Sequence, residues 1–261
     1  SQRHTILMIE TPINYPDGSV VILNFNPKKH YYNVEDKYVP SVTTVLNVIS
    51  KPALVPWAVK MGAEWFTENC EAFTQAELSV EEMVKGIKGA HRKRSTEAMA
   101  IGTMVHDWCE AAINWKLGRG DIPDTPDNEA AENSINAFRD WIKENDVEFI
   151  TSEEKVYSRK YNYAGTIDAV AKVNGEFSVI DFKTSKAIYN NYHLQCAAYS
   201  QCVEEIYDKP VDASYILRFD KQTGEFESGR SNESAENFKA FKGFLDGYLR
   251  LTELDNRSKR K

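Results

Sequence analysis

Two apolar stretches separated by Asn174-Gly175 form the most restrictive pattern in this sequence, and together they span residues 163–183. Asn-Gly between β-branched and apolar residues predicts a β-hairpin with a two-residue type I′ turn, because both central residues of that turn need positive φ. Such a turn fixes the register of the strands, so Val173 must face Glu176. The pattern therefore predicts two antiparallel strands and also which of their side chains lie opposite each other.

Counting outward from the turn along both strands places Asp168 directly opposite Asp181. Facing residues share one face of a sheet, as do residues two apart on a strand, so Lys183 joins the two aspartates. Two facing carboxylates repel each other unless a positive charge lies between them. A divalent cation meets this need, and oxygen ligands favour Mg²⁺ or Mn²⁺. The alternative is an ordinary solvated strand face on which Lys183 pairs with the aspartates.

The rest of the sequence alternates helical and strand-like patterns. Apolar residues at helical spacing predict helices over residues 41–49, 56–69, 79–89, 93–117, 127–145, 190–206 and 232–254. Strand-like patterns cover residues 147–158, 212–219 and 225–230, with short strands and turns over 4–39. These elements predict an α/β (α+β) fold in which helices flank a central mixed β-sheet, with a helical N-terminal half.

The length of 261 residues suits one domain, so we expect a single domain over residues 1–261. Its expected parts are N-terminal strands with a helical extension (1–95), a core that contains the hairpin (96–220), and a C-terminal strand and helix (221–261).

The net charge of −7 argues against a passive nucleic-acid coat protein, since such proteins are basic overall. It is compatible with an enzyme that uses clustered carboxylates to hold cations and only a local basic track to hold a nucleic-acid strand. No apolar run approaches the roughly 18 residues that cross a bilayer, so we expect a soluble, intracellular protein with no membrane partner.

Several short motifs accompany the hairpin in a fixed order along the chain. They are Gly102-x-x-x-His106-x-x-x-Glu110, Gly165-x-x-Asp168, Asp181-x-Lys183 and Gln195-x-x-x-Tyr199. Together they resemble the PD-(D/E)XK nuclease superfamily, specifically its RecB-like branch. The segments 39–46 and 179–185 are similar to those of the mitochondrial genome maintenance exonucleases and of similar phage exonucleases. The resemblance covers about residues 39–200 and implies the central mixed sheet of this superfamily.

Carried over by position, the resemblance implies that His106, Asp168 and Asp181 bind the metal ion. It also implies that Lys183 is catalytic together with the two aspartates. From the residue pattern alone, a single helical histidine is more often an ordinary core or surface residue, so the role of His106 rests on the order of the motifs.

Nucleases of this kind often carry a further glutamate on a neighbouring strand. Only one of Glu153 and Glu154 can face the site, because adjacent strand residues point in opposite directions. We favour Glu154 as a metal ligand, the alternative being a solvated surface pair. The residues expected to contact the substrate are Gln195, Tyr199, Thr184, Ser185, Glu110, Ser41 and Thr43.

The resemblance implies a Mg²⁺-dependent deoxyribonuclease, in the first place an exonuclease that acts on single-stranded DNA or on DNA ends in phage or organelle repair and recombination. Two alternatives stay open: a structure-selective (flap) endonuclease with the same chemistry, and a non-catalytic nucleic-acid-binding module on the same fold. Some RecB-like nucleases hold an iron–sulfur cluster on one early and three late cysteines. The late triplet is missing here, where Cys196 and Cys202 are six residues apart, so we expect no cluster.

Overall fold

The computed structural model describes residues 8–220 and 223–259, except for the side chain of Ala98. The chain forms two compact units. The larger unit consists of Ser1–Val48 together with Val105–Lys261, and the smaller unit is Ile49–Met104. Among the described residues, no helix is both long enough and apolar enough to span a bilayer.

The larger unit begins with a four-stranded antiparallel sheet whose strands follow one another in sequence order. The elements of this part are β1 (Ile9–Asn14), β2 (Val20–Asn26), β3 (Tyr31–Val34), β4 (Lys37–Val39) and a short helix, α1 (Val42–Leu46). Its buried core includes Tyr15 and Tyr32 and continues onto Tyr157. The Tyr15 hydroxyl donates to the Tyr157 carbonyl at 2.7 Å, and the Tyr32 and Thr166 hydroxyls are hydrogen-bonded at 2.8 Å. These contacts fix the N-terminal sheet against the second sheet of the same unit.

The smaller unit contains the helix α2 (Leu54–Thr74) and the first part of α3 (Val80–Lys116). The sequence predicted two helices over 79–89 and 93–117, and this was wrong, since α3 is continuous. Gly86 and Gly89 lower the helix propensity there without breaking the helix, because neither removes a backbone hydrogen bond as proline would. Gly86 also lies against the ring of Trp65, where a Cβ atom would come within 2.1 Å of it.

The second sheet of the larger unit has five strands in the order β5-β6-β7-β8-β9. The elements of this part are α4 (Glu129–Glu144), β5 (Val147–Ser158), β6 (Tyr163–Val173), β7 (Glu176–Thr184), α5 (Asn190–Tyr207), β8 (Ala213–Phe219), β9 (Phe226–Ser231) and α6 (Ser234–Ser258). Strands β7 and β8 are parallel and are connected through α5, whereas the other neighbours are antiparallel. This mixed sheet with helices around it confirms the predicted fold class.

The Asn174-Gly175 hairpin has the predicted register. Its two turn residues have φ values of 51° and 85°, as a type I′ turn requires. Facing residues follow the predicted pairs as far as Ala169 and Ile180, where the ladder between β6 and β7 ends. The next position on each strand is Asp168 and Asp181. Both aspartates therefore lie where β6 separates from β7, while β7 stays paired with β8 on its other side.

Candidate active site

Three side chains from three elements converge beside the end of the hairpin ladder. His106 on α3, Glu153 on β5 and Asp168 on β6 each offer one ligand atom, and these atoms all lie within 4.8 Å of one another. All three residues are half-buried. We refer to them below as the acidic cluster.

The position of Asp168 is fixed by the backbone of the neighbouring strand. Where the ladder ends, the Phe182 N–H donates a hydrogen bond of 2.6 Å to Asp168 Oδ2. The other carboxylate oxygen, Oδ1, lies 3.8 Å from His106 Nδ1. One carboxylate oxygen of Asp168 thus replaces a hydrogen bond of the strand ladder, and the other oxygen points toward His106.

The tautomer of His106 follows from its second ring nitrogen. His106 Nε2–H donates to the Phe182 carbonyl at 3.0 Å, because a carbonyl oxygen can only accept. In the neutral imidazole the lone pair is therefore on Nδ1, which faces Asp168. Burial lowers the pKa of His106, but the negative charge of Asp168 and the bond to Phe182 outweigh it and raise the pKa. A histidine oriented by a backbone carbonyl in this way is the usual arrangement of a metal ligand.

Glu153, rather than Glu154, is the β5 glutamate that belongs to the acidic cluster. The ladder between β5 and β6 is irregular between Phe149 and Thr151, and the pairs on either side of Glu153 put it opposite Asp168. Its φ of 50° marks a local distortion of the strand. Glu154 points to the other face, where it accepts a hydrogen bond of 3.0 Å from the Tyr207 hydroxyl. The structure therefore does not bring the expected Glu154 to the site.

The charge on Glu153 is poorly compensated within the protein. Burial raises the pKa of its carboxyl to about 7, and the negative charges of Asp168 and Glu110 act in the same direction. His106 and Lys155 oppose this shift only in part. A cation placed between the carboxylates would relieve this repulsion.

Asp181 and Lys183 form an ion pair next to the acidic cluster. Lys183 Nζ lies 2.6 Å from Asp181 Oδ2, and Asp181 is only 2% exposed. Burial raises the pKa of Asp181 to about 6, Lys183 lowers it and Asp168 raises it. Burial lowers the pKa of Lys183, but the charges of Asp181 and Asp168 outweigh it, so the ammonium stays protonated at neutral pH. Asp181 thus holds Lys183 and is not one of the three residues of the cluster.

The donor atoms fit a divalent cation. Each residue of the acidic cluster offers an oxygen or imidazole nitrogen, and the opposite atoms of His106 and Asp168 are already bound to the Phe182 backbone. Carboxylate and imidazole ligands of this kind suit Mn²⁺ and related ions, and carboxylates suit Mg²⁺. His106, Glu153 and Asp168 are therefore the residues that could hold a metal ion at this site.

The Gln195–Tyr199 motif lies on α5, and both residues are buried. The Gln195 amide donates to the Tyr199 hydroxyl at 3.1 Å. The Tyr199 ring packs on Gly165, where a Cβ atom would come within 2.5 Å of the ring. Only glycine at this position lets the tyrosine ring come this close to β6, which gives a physical reason for the glycine three residues before Asp168.

The other expected substrate residues occupy varied positions. Ser41 accepts a hydrogen bond of 3.0 Å from the Thr44 N–H and so caps α1, while Thr43 is exposed and lines a cleft with Glu153. Glu110 lies one turn after His106 on α3. The remaining two follow Lys183 directly: Thr184 is half-buried, and Ser185 donates to the Ala187 carbonyl at 2.9 Å.

Sequence reasoning named Glu153 but favoured Glu154, and it missed Lys155 and Tyr192 near the site. Lys183 Nζ lies over the Tyr192 ring, 5.0 Å from its centroid. Lys155 is two residues from Glu153 and lowers the pKa of that carboxyl. The alternation of β5 placed one of two glutamates at the site, but only the register with β6 decides which one.

Comparison with known proteins identifies the family of this chain. Residues 82–256 match the model of the PD-(D/E)XK nuclease superfamily. No curated protein sequence matches the chain. The structure of the exonuclease LHK-Exo in complex with dAMP aligns with a TM-score of 0.38 and 13% identity, covering 59% of this chain and 83% of that protein.

A second structure, the alkaline exonuclease LHK-Exo from Laribacter hongkongensis, aligns with a TM-score of 0.32 and 13% identity, covering 58% of this chain and 84% of that one. The family match spans more than half of the sequence and includes the acidic cluster, Asp181 and Lys183. On this ground, the chain belongs to the PD-(D/E)XK nuclease superfamily.

Proposed function

We propose that this nuclease is a metal-dependent deoxyribonuclease that hydrolyses phosphodiester bonds from a free end of single-stranded DNA. The observation that carries the proposal is the acidic cluster of His106, Glu153 and Asp168 next to the buried Asp181–Lys183 pair. It combines ligands for a cation with one protonated amine, the two features that hydrolysis of an anionic phosphodiester needs.

The acidic cluster has the role of holding the metal ion. When bound, Mg²⁺ or Mn²⁺ would polarise the phosphate and lower the pKa of a water molecule. His106 contributes Nδ1, and its Nε2–H keeps the ring oriented through the Phe182 carbonyl. Asp168 contributes Oδ1, since Oδ2 is held by the Phe182 N–H. Glu153 supplies the second negative charge.

Lys183 has the role of binding the reacting phosphate. Its pKa is raised, so it acts as a fixed positive charge beside the phosphate oxygens rather than as a base. Asp181 holds the ammonium in place through the 2.6 Å ion pair. The amine is half-buried, which strengthens its interaction with a charge that develops in the transition state.

The choice of DNA ends rests on the sequence resemblance of residues 39–46 and 179–185 to phage and organelle exonucleases. A flap endonuclease with the same residues remains the alternative enzyme. A binding module without activity is less well supported, because every charged motif residue is retained.

The proposal is tested with end-labelled linear single-stranded DNA, linear duplex and circular single-stranded DNA, each with Mg²⁺, Mn²⁺ or EDTA. Wild-type protein is compared with Lys183→Ala and with Lys172→Ala. Lys172 is a matched control on the same hairpin; it is half-buried, as Lys183 is, and is paired with Glu148 at 3.1 Å. We expect the wild-type protein and Lys172→Ala to degrade linear single-stranded DNA when a metal ion is present. We expect Lys183→Ala to degrade none, and circular DNA to stay intact with every protein.

Each other outcome contradicts a different part of the proposal. Cleavage of circles would replace the exonuclease by an endonuclease. Equal cleavage by wild type and Lys183→Ala would remove the assigned role of Lys183. No cleavage with either metal would leave the binding module as the better account.

A further inference from the structure

A cleft of about 360 Å³ lies next to the acidic cluster, between the N-terminal sheet and strands β5 and β6. Glu153 lies on its wall, so the cleft begins where the cluster ends. Its volume is within the range of pockets for small ligands, roughly 300–1,000 Å³. We call it the Phe25 cleft. Its walls include Phe25, His30, Tyr32, Thr43, Lys155 and Thr166.

Aromatic rings form one side of the Phe25 cleft. The centroids of Phe25 and Tyr32 are 4.9 Å apart, and the ring of His30 meets Phe25 edge-on at 6.0 Å. Phe25 is half-buried and packs on the N-terminal core, so part of its ring stays accessible from the cleft, and His30 is exposed. His30 has a φ of 50° and its N–H is bound to the Asn26 carbonyl at 2.8 Å, which holds the tip of the β2–β3 hairpin in place.

A positive charge lies between these rings and the acidic cluster. Lys155 Nζ lies 5.0 Å from the centroid of the Phe25 ring. Lys155 also lines the cleft together with Glu153, two residues before it on β5, so it lies near the acidic cluster as well as the ring. Hydroxyl groups complete the wall: Thr43 is exposed, and Thr166 is bound to the Tyr32 hydroxyl.

The cleft thus offers planar apolar surface, one cation and hydroxyl groups within the space of one small ligand. A nucleotide has the complementary parts, namely a planar base, a phosphate anion and a polar sugar. A base inside a duplex is stacked on both sides and cannot enter such a cleft, whereas a base of a single strand can.

We propose that the Phe25 cleft binds one nucleotide of a single DNA strand, next to the phosphodiester that lies at the acidic cluster. Its base contacts the Phe25 and His30 rings, and its phosphate contacts Lys155. This inference rests on the proposed function, and it adds to that function a reason for preferring single strands.

The test measures binding and cleavage of a labelled oligothymidylate and of a set of the same oligomers that each lack one base. Binding is measured by fluorescence anisotropy in EDTA, and KM and kcat are measured with Mn²⁺. For the wild-type protein, we expect that removal of the base at one position weakens binding by roughly tenfold, as for the loss of one base–aromatic stack.

The variants are Phe25→Leu, which keeps apolar bulk, and His30→Asn, which suits the positive φ and leaves the core intact. The control is Tyr31→Leu. Tyr31 is the neighbour of Tyr32 on β3 and therefore points to the opposite face of the sheet. We expect Phe25→Leu and His30→Asn to raise KM without lowering kcat and to become insensitive to the missing base, whereas Tyr31→Leu behaves as wild type.

The outcomes separate this proposal from the previous one. If Lys183-dependent cleavage occurs but no single base matters, or if both variants respond to the missing base as wild type does, the subsite is wrong and the nuclease assignment stands. If neither metal supports cleavage, the proposed function fails and the subsite fails with it. If Phe25→Leu does not fold, His30→Asn alone still tests the subsite, because His30 is exposed and its substitution leaves the core unchanged.

Discussion

The backbone of Phe182 orients both Asp168 and His106: its N–H donates to Asp168 Oδ2 at 2.6 Å, and its carbonyl accepts from His106 Nε2 at 3.0 Å. These contacts occur where strands β6 and β7 separate, so backbone groups that would otherwise lose their partners are used to position two side chains. The free atoms of those side chains then face Glu153. The end of the hairpin ladder therefore builds the candidate metal site.

This relationship predicts different effects of two substitutions of Asp168 in EDTA. Asp168→Asn keeps an oxygen that accepts from the Phe182 N–H and removes a charge that repels Glu153, so we expect stability equal to or above that of wild type. Asp168→Ala leaves the N–H without a partner, and we expect a loss of about 1–3 kcal/mol. Urea unfolding measures both.

Neither variant of Asp168 should cleave DNA, because both lack the negative oxygen that faces the cluster. Asp168→Asn should therefore be stable but inactive, and a fully active Asp168→Asn protein would contradict the assignment of this residue as a metal ligand. An Asp168→Ala protein as stable as wild type would instead show that the bond to Phe182 contributes little.

Glu153 and Glu154 provide a matched pair for the metal site. Glu153→Gln removes a charge from the acidic cluster, and we expect metal affinity to fall by at least about tenfold. Glu154→Gln keeps an oxygen for the Tyr207 hydroxyl on the other face, and we expect affinity within about twofold of wild type. Calorimetric titration with Mn²⁺ measures both, and the reverse ranking would favour Glu154 as the ligand.

The hairpin could be predicted from the sequence because its register depends only on the two-residue turn. The same reasoning could not identify Glu153. Strands β5 and β6 are joined by residues 159–162 rather than by a tight turn, and the pairing shifts between Phe149 and Thr151. A shift of one residue exchanges the two faces of a strand, so the sequence pattern alone could not distinguish the adjacent glutamates.

The Phe25 cleft lay beyond sequence reasoning for a different reason. It forms only because the N-terminal sheet packs on β5 and β6, through contacts such as that of Tyr15 with Tyr157, which are 142 residues apart. Local patterns predicted short strands over 4–39 but carry no information about which surface they pack against. The roles of His106, Gln195 and Tyr199 came from the order of motifs and stay predictions.

Gly165 is expected to tolerate no side chain. A Cβ atom there would lie 2.5 Å from Tyr199 Cε1, so Gly165→Ala must displace the ring, at a cost of about 1–3 kcal/mol. The control is Gly243→Ala on α6, where no atom lies within 4 Å of the added Cβ and alanine should stabilise the helix by about 0.5–1 kcal/mol. Denaturant unfolding measures both.

A double-mutant cycle identifies the cause of the Gly165→Ala effect. In the Tyr199→Leu background the penalty should shrink, because the atom that clashes is gone. An unchanged penalty would mean that the alanine disturbs β6 itself and that the contact with Tyr199 is incidental.

The pKa of Glu153, raised by burial and by Asp168 to about 7, predicts how stability depends on pH. The ordinary value is 4.5, so between about pH 4.5 and 7 the folded, metal-free protein binds a proton that the unfolded chain has released. Stability contributed by this group is therefore present below pH 4.5 and is lost as the pH rises through 7. Asp181, with a pKa of about 6, acts in the same direction.

Metal binding should have the opposite pH dependence, because the cation needs ionised carboxylates and a neutral His106. Apparent Mn²⁺ affinity should rise from pH 5 to 8, with proton release detected by calorimetry in buffers of different ionisation enthalpy. The comparison with Glu153→Gln isolates one group: in EDTA, the wild type should lose stability relative to this variant as the pH rises through 7. A difference that stays constant from pH 5 to 8 would mean that Glu153 is already ionised in the folded protein, and that its charge is compensated by groups other than the bound metal.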